Sequence, residues 1–341
     1  MAGVRLRRGA FAELDHALSR LAELVPGGAG PRDRRRGAAY TEDAMNAPSF
    51  GTAALYLLRS ARRVGYVFSG GSMRCAFQVG ALETLRQLGI RPALAIGVSA
   101  GAWNAGAVAA GTDGRLRSYW RGVHRMPAVD LGNLLRAGSP FRYPEIHRRN
   151  FRRFIGARLG APEALPLFVG VTRLADRAPI LFAAREVPDP FTLLLASNYL
   201  PPFYTRAPRI GGERYGDGAL SDNLPYERAF AEGCDAVVLL ANKGESEGGL
   251  FRSPRDPEHR PPDRLAERIV VLRPRHRLPI GFVEKDWTVI VRAMEIGRLR
   301  ARELLLGERH PETDDRAPGR APTAILADLL GRGRKSPRRP I

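Results

Sequence analysis

The sequence predicts an α/β fold, specifically a three-layer α/β/α domain with a mostly parallel central sheet. Residues 64–111 run twice through an apolar strand, a glycine-containing turn and a helix, a pattern typical of parallel strands covered by helices. Apolar runs at residues 167–171, 180–184, 237–240 and 269–272 predict further buried strands. With 341 residues, the chain is long enough for one large domain with a full core.

The first of the two units ends in a glycine-rich turn. Residues 64–68 form the predicted strand, residues 69–72 the turn, and residues 75–88 an amphipathic helix that Gly89 ends. Gly70 and Gly71 lie directly before the helix, where they can turn backbone N–H groups toward one point. An oxyanion hole requires this arrangement of donors.

The second unit contains the pattern G-x-S-x-G at Gly97, Ser99 and Gly101. Glycines at these two positions remove the Cβ atoms that would clash where a strand reverses sharply into a helix. The pattern therefore predicts a strained Ser99 at the carboxyl end of a strand and the N-terminus of a helix, where developing negative charge is favoured. Without its context, the same pattern also fits a structural turn.

Residues beyond 111 contain further predicted elements and one ambiguous segment. Residues 126–160 lose clear periodicity, and they are interpreted either as a lid that faces the substrate or as a solvated helical excursion. A turn at residues 112–114 precedes a predicted helix through Tyr119, Trp120 and Val123. Residues 191–197 are also predicted to be helical, and another helix opens at residues 222–225. A long final helix starts near Trp287, and its polar face is predicted to carry Arg292, Arg298, Arg300 and Arg302.

Composition divides the chain into three parts. Residues 1–50 are predicted to form an N-terminal helix and a flexible basic linker, residues 63–306 the folded domain, and residues 307–341 a disordered basic tail. The N-terminus has no continuous apolar segment of the kind found in a secretion signal, so we expect a cytoplasmic protein.

The charge of the chain is strongly positive, with 54 Lys and Arg residues against 35 Asp and Glu residues. Such an excess attracts anionic surfaces, so we expect contact with the periphery of an anionic membrane. The arginines are not interleaved with aromatic residues, and no nucleic-acid partner is expected. Two cysteines and six histidines form no metal-binding pattern, and the glycine-rich turn lacks the Lys-Ser/Thr of a P-loop. No metal or cofactor is therefore predicted.

Three motifs, taken together, resemble those of the patatin-like phospholipase family. The family's G-G-G-x-[RK]-G loop corresponds to residues 70–75, its G-x-S-x-G to residues 97–101, and its D-G-[GA] to residues 217–219. Ala196-Ser197, followed by Pro201 and Phe203, is similar to the segment that precedes the family's aspartate. Ser72 and Cys75 depart from the pattern, because both positions are usually glycine.

The resemblance implies a patatin-like fold and a serine acyl hydrolase that cleaves fatty acyl esters of lipids or phospholipids with a Ser-Asp dyad. Ser99 is then the nucleophile and Asp217 the general base. The backbone N–H groups of Gly70, Gly71 and Ser72 hold the oxyanion, and Arg74 supports their loop.

Two alternatives stay open at this point. A histidine such as His276 could assist the serine, as in ordinary α/β-hydrolases. Otherwise the altered glycine loop could leave a weakened protein that only binds anionic lipid. If Ser72 or Cys75 has a positive φ, replacing glycine there costs on the order of 1 kcal/mol or more.

Overall fold

The structure is a computed structural model. It describes residues 50–314 apart from residues 126–129, 131, 134–139, 202, 205, 248, 251–259, 282–283 and 285. The predicted N-terminal helix and basic linker, up to residue 49, and most of the predicted tail lie outside the described residues.

An eight-stranded sheet forms the centre of the described region. Five of its strands pair in parallel, whereas the other three, the fourth to sixth in chain order, pair antiparallel at one side. The predicted α/β class with a mostly parallel sheet is therefore confirmed. The strands are β1 Val64–Phe68, β2 Leu94–Val98, β3 Leu167–Arg173, β4 Pro179–Ala183, β5 Arg209–Ile210, β6 Glu213–Asp217, β7 Ala236–Leu240 and β8 Ile269–Leu272.

Helices cover both faces of this sheet, because alternate residues of the buried strands point to opposite sides. Tyr66 and Phe68 belong to the larger core, whereas Val67 between them belongs to the smaller one. The described helices are α1 Phe50–Ser60, α2 Ala76–Gln87, α3 Ala100–Ala109, α4 Leu116–Arg125, α5 Tyr143–Phe154, α6 Gly156–Leu159, α7 Pro190–Ser197, α8 Glu227–Ala231, α9 Asp263–Ala266 and α10 Trp287–Leu306.

The structure differs from the sequence-based prediction along α10. Arg300 is buried rather than on the polar face, and it forms ion pairs with Glu303 and Glu245. A buried guanidinium requires such partners, because removing its charge from water is costly. The helix ends at Leu306, and the following Gly307 has a φ of 73°, which suits glycine. Within the described part of the chain, no helix combines the length and apolar character needed to cross a bilayer.

Strand β6 explains how distant parts of the chain meet. Val98 of β2 pairs with Gly170 of β3, and Asp217 of β6 pairs with the next residue, Val171. Strand β4 occupies the other edge of β3 over these residues, so β2 and β6 follow each other along the same edge. The end of β6 consequently meets the end of β2, and Asp217 arrives next to Ser99.

Candidate active site

Ser99 lies between β2 and α3 in a strained turn. Its φ is 54° and its ψ is −133°, a conformation that residues other than glycine rarely adopt. A Cβ atom on Gly97 would lie 2.5 Å from the Cα of Ala102, and one on Gly101 would lie 2.4 Å from the backbone oxygen of Ser69. Both glycines are thus required by close backbone approach.

Ser99 and Asp217 form a buried hydrogen bond. The Ser99 hydroxyl donates to Oδ2 of Asp217 at 2.6 Å, and Oδ1 of Asp217 accepts from the backbone N–H of Ala219 at 2.9 Å. Burial raises the pKa of Asp217 to about 6, against the opposing effect of these two hydrogen bonds. A carboxylate with this pKa can both accept and return a proton near neutral pH.

The segment predicted from Ala196-Ser197 holds Ser99 in position. The Ser197 hydroxyl accepts from the N–H of Ser99 at 2.8 Å and donates to the backbone oxygen of Gly170 at 2.6 Å. The side-chain amide of Asn198 donates to the backbone oxygen of Ser99 at 2.8 Å. The elbow is therefore tied to β3 and α7 by side chains whose role the motifs did not reveal.

The glycine loop approaches the same site, although one of its predicted donors is engaged elsewhere. The N–H of Gly70 donates to Oδ1 of Asn223 at 2.7 Å. This N–H is therefore already engaged in the structure, and the oxyanion role of Gly70 stays a prediction. The hydrogen bond fixes the peptide before Gly71 and Ser72.

The two departures from the family's glycine pattern have different consequences. Ser72 has a φ of 53°, so this replacement meets the condition under which strain on the order of 1 kcal/mol was expected. Cys75 has a φ of −64°, which is ordinary helical geometry. Its backbone is therefore not strained by the loss of glycine.

Asn242, which follows β7, supports the loop from behind. Its side-chain amide donates to the backbone oxygens of Ser69 and Gly70 at 3.2 and 3.3 Å and to Sγ of Cys75 at 3.1 Å. Burial raises the pKa of Cys75 to about 12, so the thiol stays protonated. Arg74, predicted as a loop-supporting residue, contacts the backbone oxygen of Gly71 at 3.4 Å through Nε.

A pocket rich in aromatic side chains opens beside Ser99 and Asp217. His147 lies in its wall and stacks on Trp103 with ring centroids 4.6 Å apart. Burial lowers the pKa of His147 to about 3, so its ring is neutral at pH 7. The pocket is lined by Ser72, Met73, Ser99, Ala100, Trp103, Tyr119, Trp120, Val123, Tyr143, His147, Asn198, Leu200, Phe203, Tyr204 and Asp217.

This pocket bears on two interpretations left open by the sequence. Tyr143 and His147 come from the ambiguous segment 126–160, so α5 contributes a wall of the pocket with one face and meets solvent with the other. Among the described residues that line this pocket, His276 does not appear. The Ser99 hydroxyl donates its hydrogen bond to Asp217.

Two further observations concern other ligands. A cavity of about 230 Å³ lies around Tyr66 and Pro92 at the amino ends of the strands, away from Ser99 and Asp217. Among the residues described by the structure, no group of three or more His, Cys, Asp or Glu side chains could hold a metal ion.

Comparison with known proteins gives a family match for part of the chain and a distant structural neighbour. Residues 66–230 match the model of the family described as patatin-like phospholipase. The solved structure of VipD from Legionella pneumophila aligns with a TM-score of 0.44 and 15% sequence identity, over 86% of this chain and 74% of that chain. No curated protein matches the chain. The match includes the glycine loop, the turn at Ser99 and Asp217, and it identifies residues 66–230 as a patatin-like phospholipase domain, from a family of lipid acyl hydrolases.

Proposed function

We propose that this protein is a serine acyl hydrolase that cleaves fatty acyl esters of lipids, with Ser99 as nucleophile and Asp217 as general base. The observation that carries the proposal is the 2.6 Å hydrogen bond between the Ser99 hydroxyl and the buried Asp217 carboxylate. Serine is a poor nucleophile until an adjacent base takes its proton. The raised pKa of Asp217, about 6, suits that role.

The reaction follows from these positions. Ser99 Oγ attacks the ester carbonyl carbon while Asp217 takes its proton. The N–H groups of Gly71 and Ser72 then stabilise the negative oxygen of the tetrahedral intermediate. The intermediate collapses, and the departing alcohol takes the proton from Asp217. Water, deprotonated by Asp217, finally attacks the acyl carbon of the acyl-enzyme. The bond to Ser99 Oγ then breaks, Oγ takes the proton back from Asp217, and the fatty acid is released.

The substrate is proposed from the family and from the pocket. Aromatic side chains supply most of the apolar wall beside Ser99, which suits an acyl chain. The excess of positive charge favours an ester presented at an anionic membrane surface. The proposed reaction requires neither a metal nor an organic cofactor.

Labelling with a fluorophosphonate tests both halves of this proposal, because the probe requires an activated serine and a working oxyanion hole. We expect an adduct on Ser99 in the wild type, none on that peptide in Ser99→Ala, and labelling slower by roughly 100-fold or more in Asp217→Asn. His276→Ala is the matched control for the histidine alternative and should label like the wild type. Loss of labelling in His276→Ala with full labelling in Asp217→Asn would reverse the assignment.

A second candidate function is that of a lipid-binding protein with little turnover. The positive φ of Ser72 and the engaged N–H of Gly70 favour it, because both alter the loop that must stabilise the oxyanion. A folded wild type that binds anionic vesicles but forms no adduct on Ser99 would establish this function instead.

A further inference from the structure

Positive charge is concentrated along one short segment of the described chain. Residues 142–158 contain six arginines and one acidic residue, Glu145. Most of this segment is helix α5. The helix is strongly amphipathic in composition, because its other residues are mainly aromatic or apolar.

The two faces of α5 have different surroundings. Ile146, His147, Asn150 and Phe154 are buried against the domain. The opposite side exposes Arg148, Arg149, Arg152 and Arg153 to solvent, and these four residues are called the basic face below. They form two adjacent pairs, and each arginine of one pair lies three to five residues from those of the other, which keeps all four on one side of the helix.

The arginines of the basic face form no ion pairs with residues that the structure describes, unlike several arginines elsewhere. Arg298 and Arg302, for example, each pair with a glutamate. Arg148 instead lies over the ring of Phe191 at 4.3 Å, and Arg153 lies over the ring of Phe154 at 5.2 Å. These ring contacts hold two guanidinium groups without neutralising them.

Helix stability alone does not account for the basic face. Arg152 and Arg153 lie in the last turn, where positive charge complements the helix dipole. Arg148 and Arg149 lie one turn earlier, and each is four residues from another arginine of the face, a like-charge spacing that weakens a helix. An anionic partner would remove that repulsion.

The position of the basic face connects it to the candidate active site. Tyr143 and His147 on the inner side of α5 line the pocket beside Ser99. The basic face and the pocket are therefore separated by about the thickness of one helix, roughly 10 Å. A surface bound to the basic face lies next to the pocket wall.

We propose that the basic face is the surface through which this protein docks on bilayers of anionic phospholipid. The proposal rests on the proposed function, since a lipid ester substrate would be held in such a bilayer. Guanidinium groups bind phosphate oxygens in a two-pronged geometry, and a row of four can contact several head groups at once. Docking brings the pocket of the same helix to the lipid that it hydrolyses.

Vesicle sedimentation with the full chain tests the docking surface. We compare vesicles of phosphatidylcholine alone with vesicles that contain one third phosphatidylglycerol. The variant Arg148→Gln/Arg149→Gln/Arg152→Gln/Arg153→Gln removes the basic face. The variant Arg177→Gln/Arg209→Gln/Arg214→Gln/Arg264→Gln is the matched control, because it removes the same charge from exposed positions near the two edges of the sheet.

We expect the wild type to prefer the anionic vesicles and to release them as salt is raised. Each arginine near an anionic surface strengthens binding about fivefold, so loss of all four arginines of the basic face should weaken binding by roughly 600-fold. The matched control should weaken it far less. Wild-type binding by the basic-face variant, or equal losses in both variants, would overturn the proposal.

Two further measurements make the result decisive. Arg149→Gln/Arg152→Gln leaves both ring contacts in place, and it is used if the fourfold variant does not fold. A loss of roughly 25-fold is then expected. Fluorophosphonate labelling of Ser99 is measured in parallel and should be unchanged in every variant, which separates failure of docking from failure of the proposed function. If the basic face binds duplex DNA but not anionic vesicles, the docking proposal is wrong.

Discussion

Single residues determine how the candidate site should respond to pH. Burial raises the pKa of Asp217 from 3.8 to about 6. Because a general base must be deprotonated, kcat/KM for a soluble ester should rise as pH increases toward about 6 and level off above it. A pH series with wild-type protein measures this directly. If kcat/KM instead rose around pH 4 and were constant above it, the assignment of a buried Asp217 as base would be contradicted.

The same carboxyl group should make the folded protein less stable as pH rises, whereas it makes the enzyme more active. Its pKa is higher in the folded than in the unfolded protein, so the folded state binds more protons between about pH 4 and about pH 6. The contribution to the free energy of unfolding is present at low pH and is lost as pH rises through about 6, by at most about 3 kcal/mol. Asp217→Asn should remove this dependence. Chemical denaturation of the wild type and of Asp217→Asn at about pH 4 and about pH 6 measures this change. The same change in the free energy of unfolding in both proteins would contradict the prediction.

Asn223 is expected to matter for turnover through the peptide that it holds. Asn223→Ala deprives the Gly70 N–H of its acceptor and frees the loop before Gly71 and Ser72, so kcat should fall roughly 10-fold to 100-fold while KM changes little. Asn223→Asp retains an acceptor oxygen and should restore most of the rate. Steady-state kinetics and melting temperatures of the two variants test this. Equal losses in both would leave no role for the hydrogen bond.

At this scale the sequence could predict residues in motifs but not residues that act through distant contacts. Ser99 and Asp217 stand in fixed local patterns, and the structure brings them within hydrogen-bonding distance. Asn223 and Ser197 act through hydrogen bonds to residues 153 and 98 positions away. No local periodicity encodes such pairs, and for the same reason the motif could not reveal that the Gly70 N–H is already engaged.

Among the elements, those with a clear period were predictable and those defined by pairing were not. The predicted strands at residues 64–68 and 269–272 match β1 and β8, because each is a short apolar run. All residues of β1 are buried, and alternate residues of β8 are. Strand β6 reads Glu213-Arg214-Tyr215-Gly216-Asp217, with no apolar alternation. Its antiparallel pairing with β3 places Asp217 next to Ser99. This pairing follows from tertiary contact rather than from local sequence.

The crossing of α2 and α10 gives a prediction at this scale. A Cβ atom on Gly80 would lie 1.7 Å from the backbone oxygen of Met294, and one on Gly297 would lie 1.9 Å from that of Phe77. Backbone atoms cannot rotate away, so Gly80→Ala must push the helices apart. We expect the free energy of unfolding to fall by about 1–3 kcal/mol in chemical denaturation.

Gly106 in α3 provides the matched control for Gly80. A Cβ atom there would meet its nearest neighbours at 3.6 Å or more, which is ordinary contact. Alanine also has the higher helix propensity, by about 1 kcal/mol, so Gly106→Ala should leave stability unchanged or increase it. Similar losses in the two variants would show that glycine is needed for a reason other than the close approach of α2 and α10.

For the molecule as a whole, the sheet separates a large core from a small one. The larger core collects α1, α2, α3 and α10, and it includes Leu58 of α1. The composition of the sequence predicts a domain over residues 63–306, since the preceding segment is rich in glycine, proline and arginine. We propose that the domain begins instead with α1, because this helix packs on α10 and carries a side chain into the core.

Two substitutions within α1 test that boundary. Leu58 is 3% exposed and Tyr56 is 75% exposed, although they are only two residues apart. If α1 is part of the domain, Leu58→Ala should lower the free energy of unfolding by roughly 2–4 kcal/mol through the cavity that it leaves. Tyr56→Ala should change it by no more than about 0.5 kcal/mol. Chemical denaturation measures both, and a Leu58→Ala variant as stable as Tyr56→Ala would return the start of the domain to residue 63.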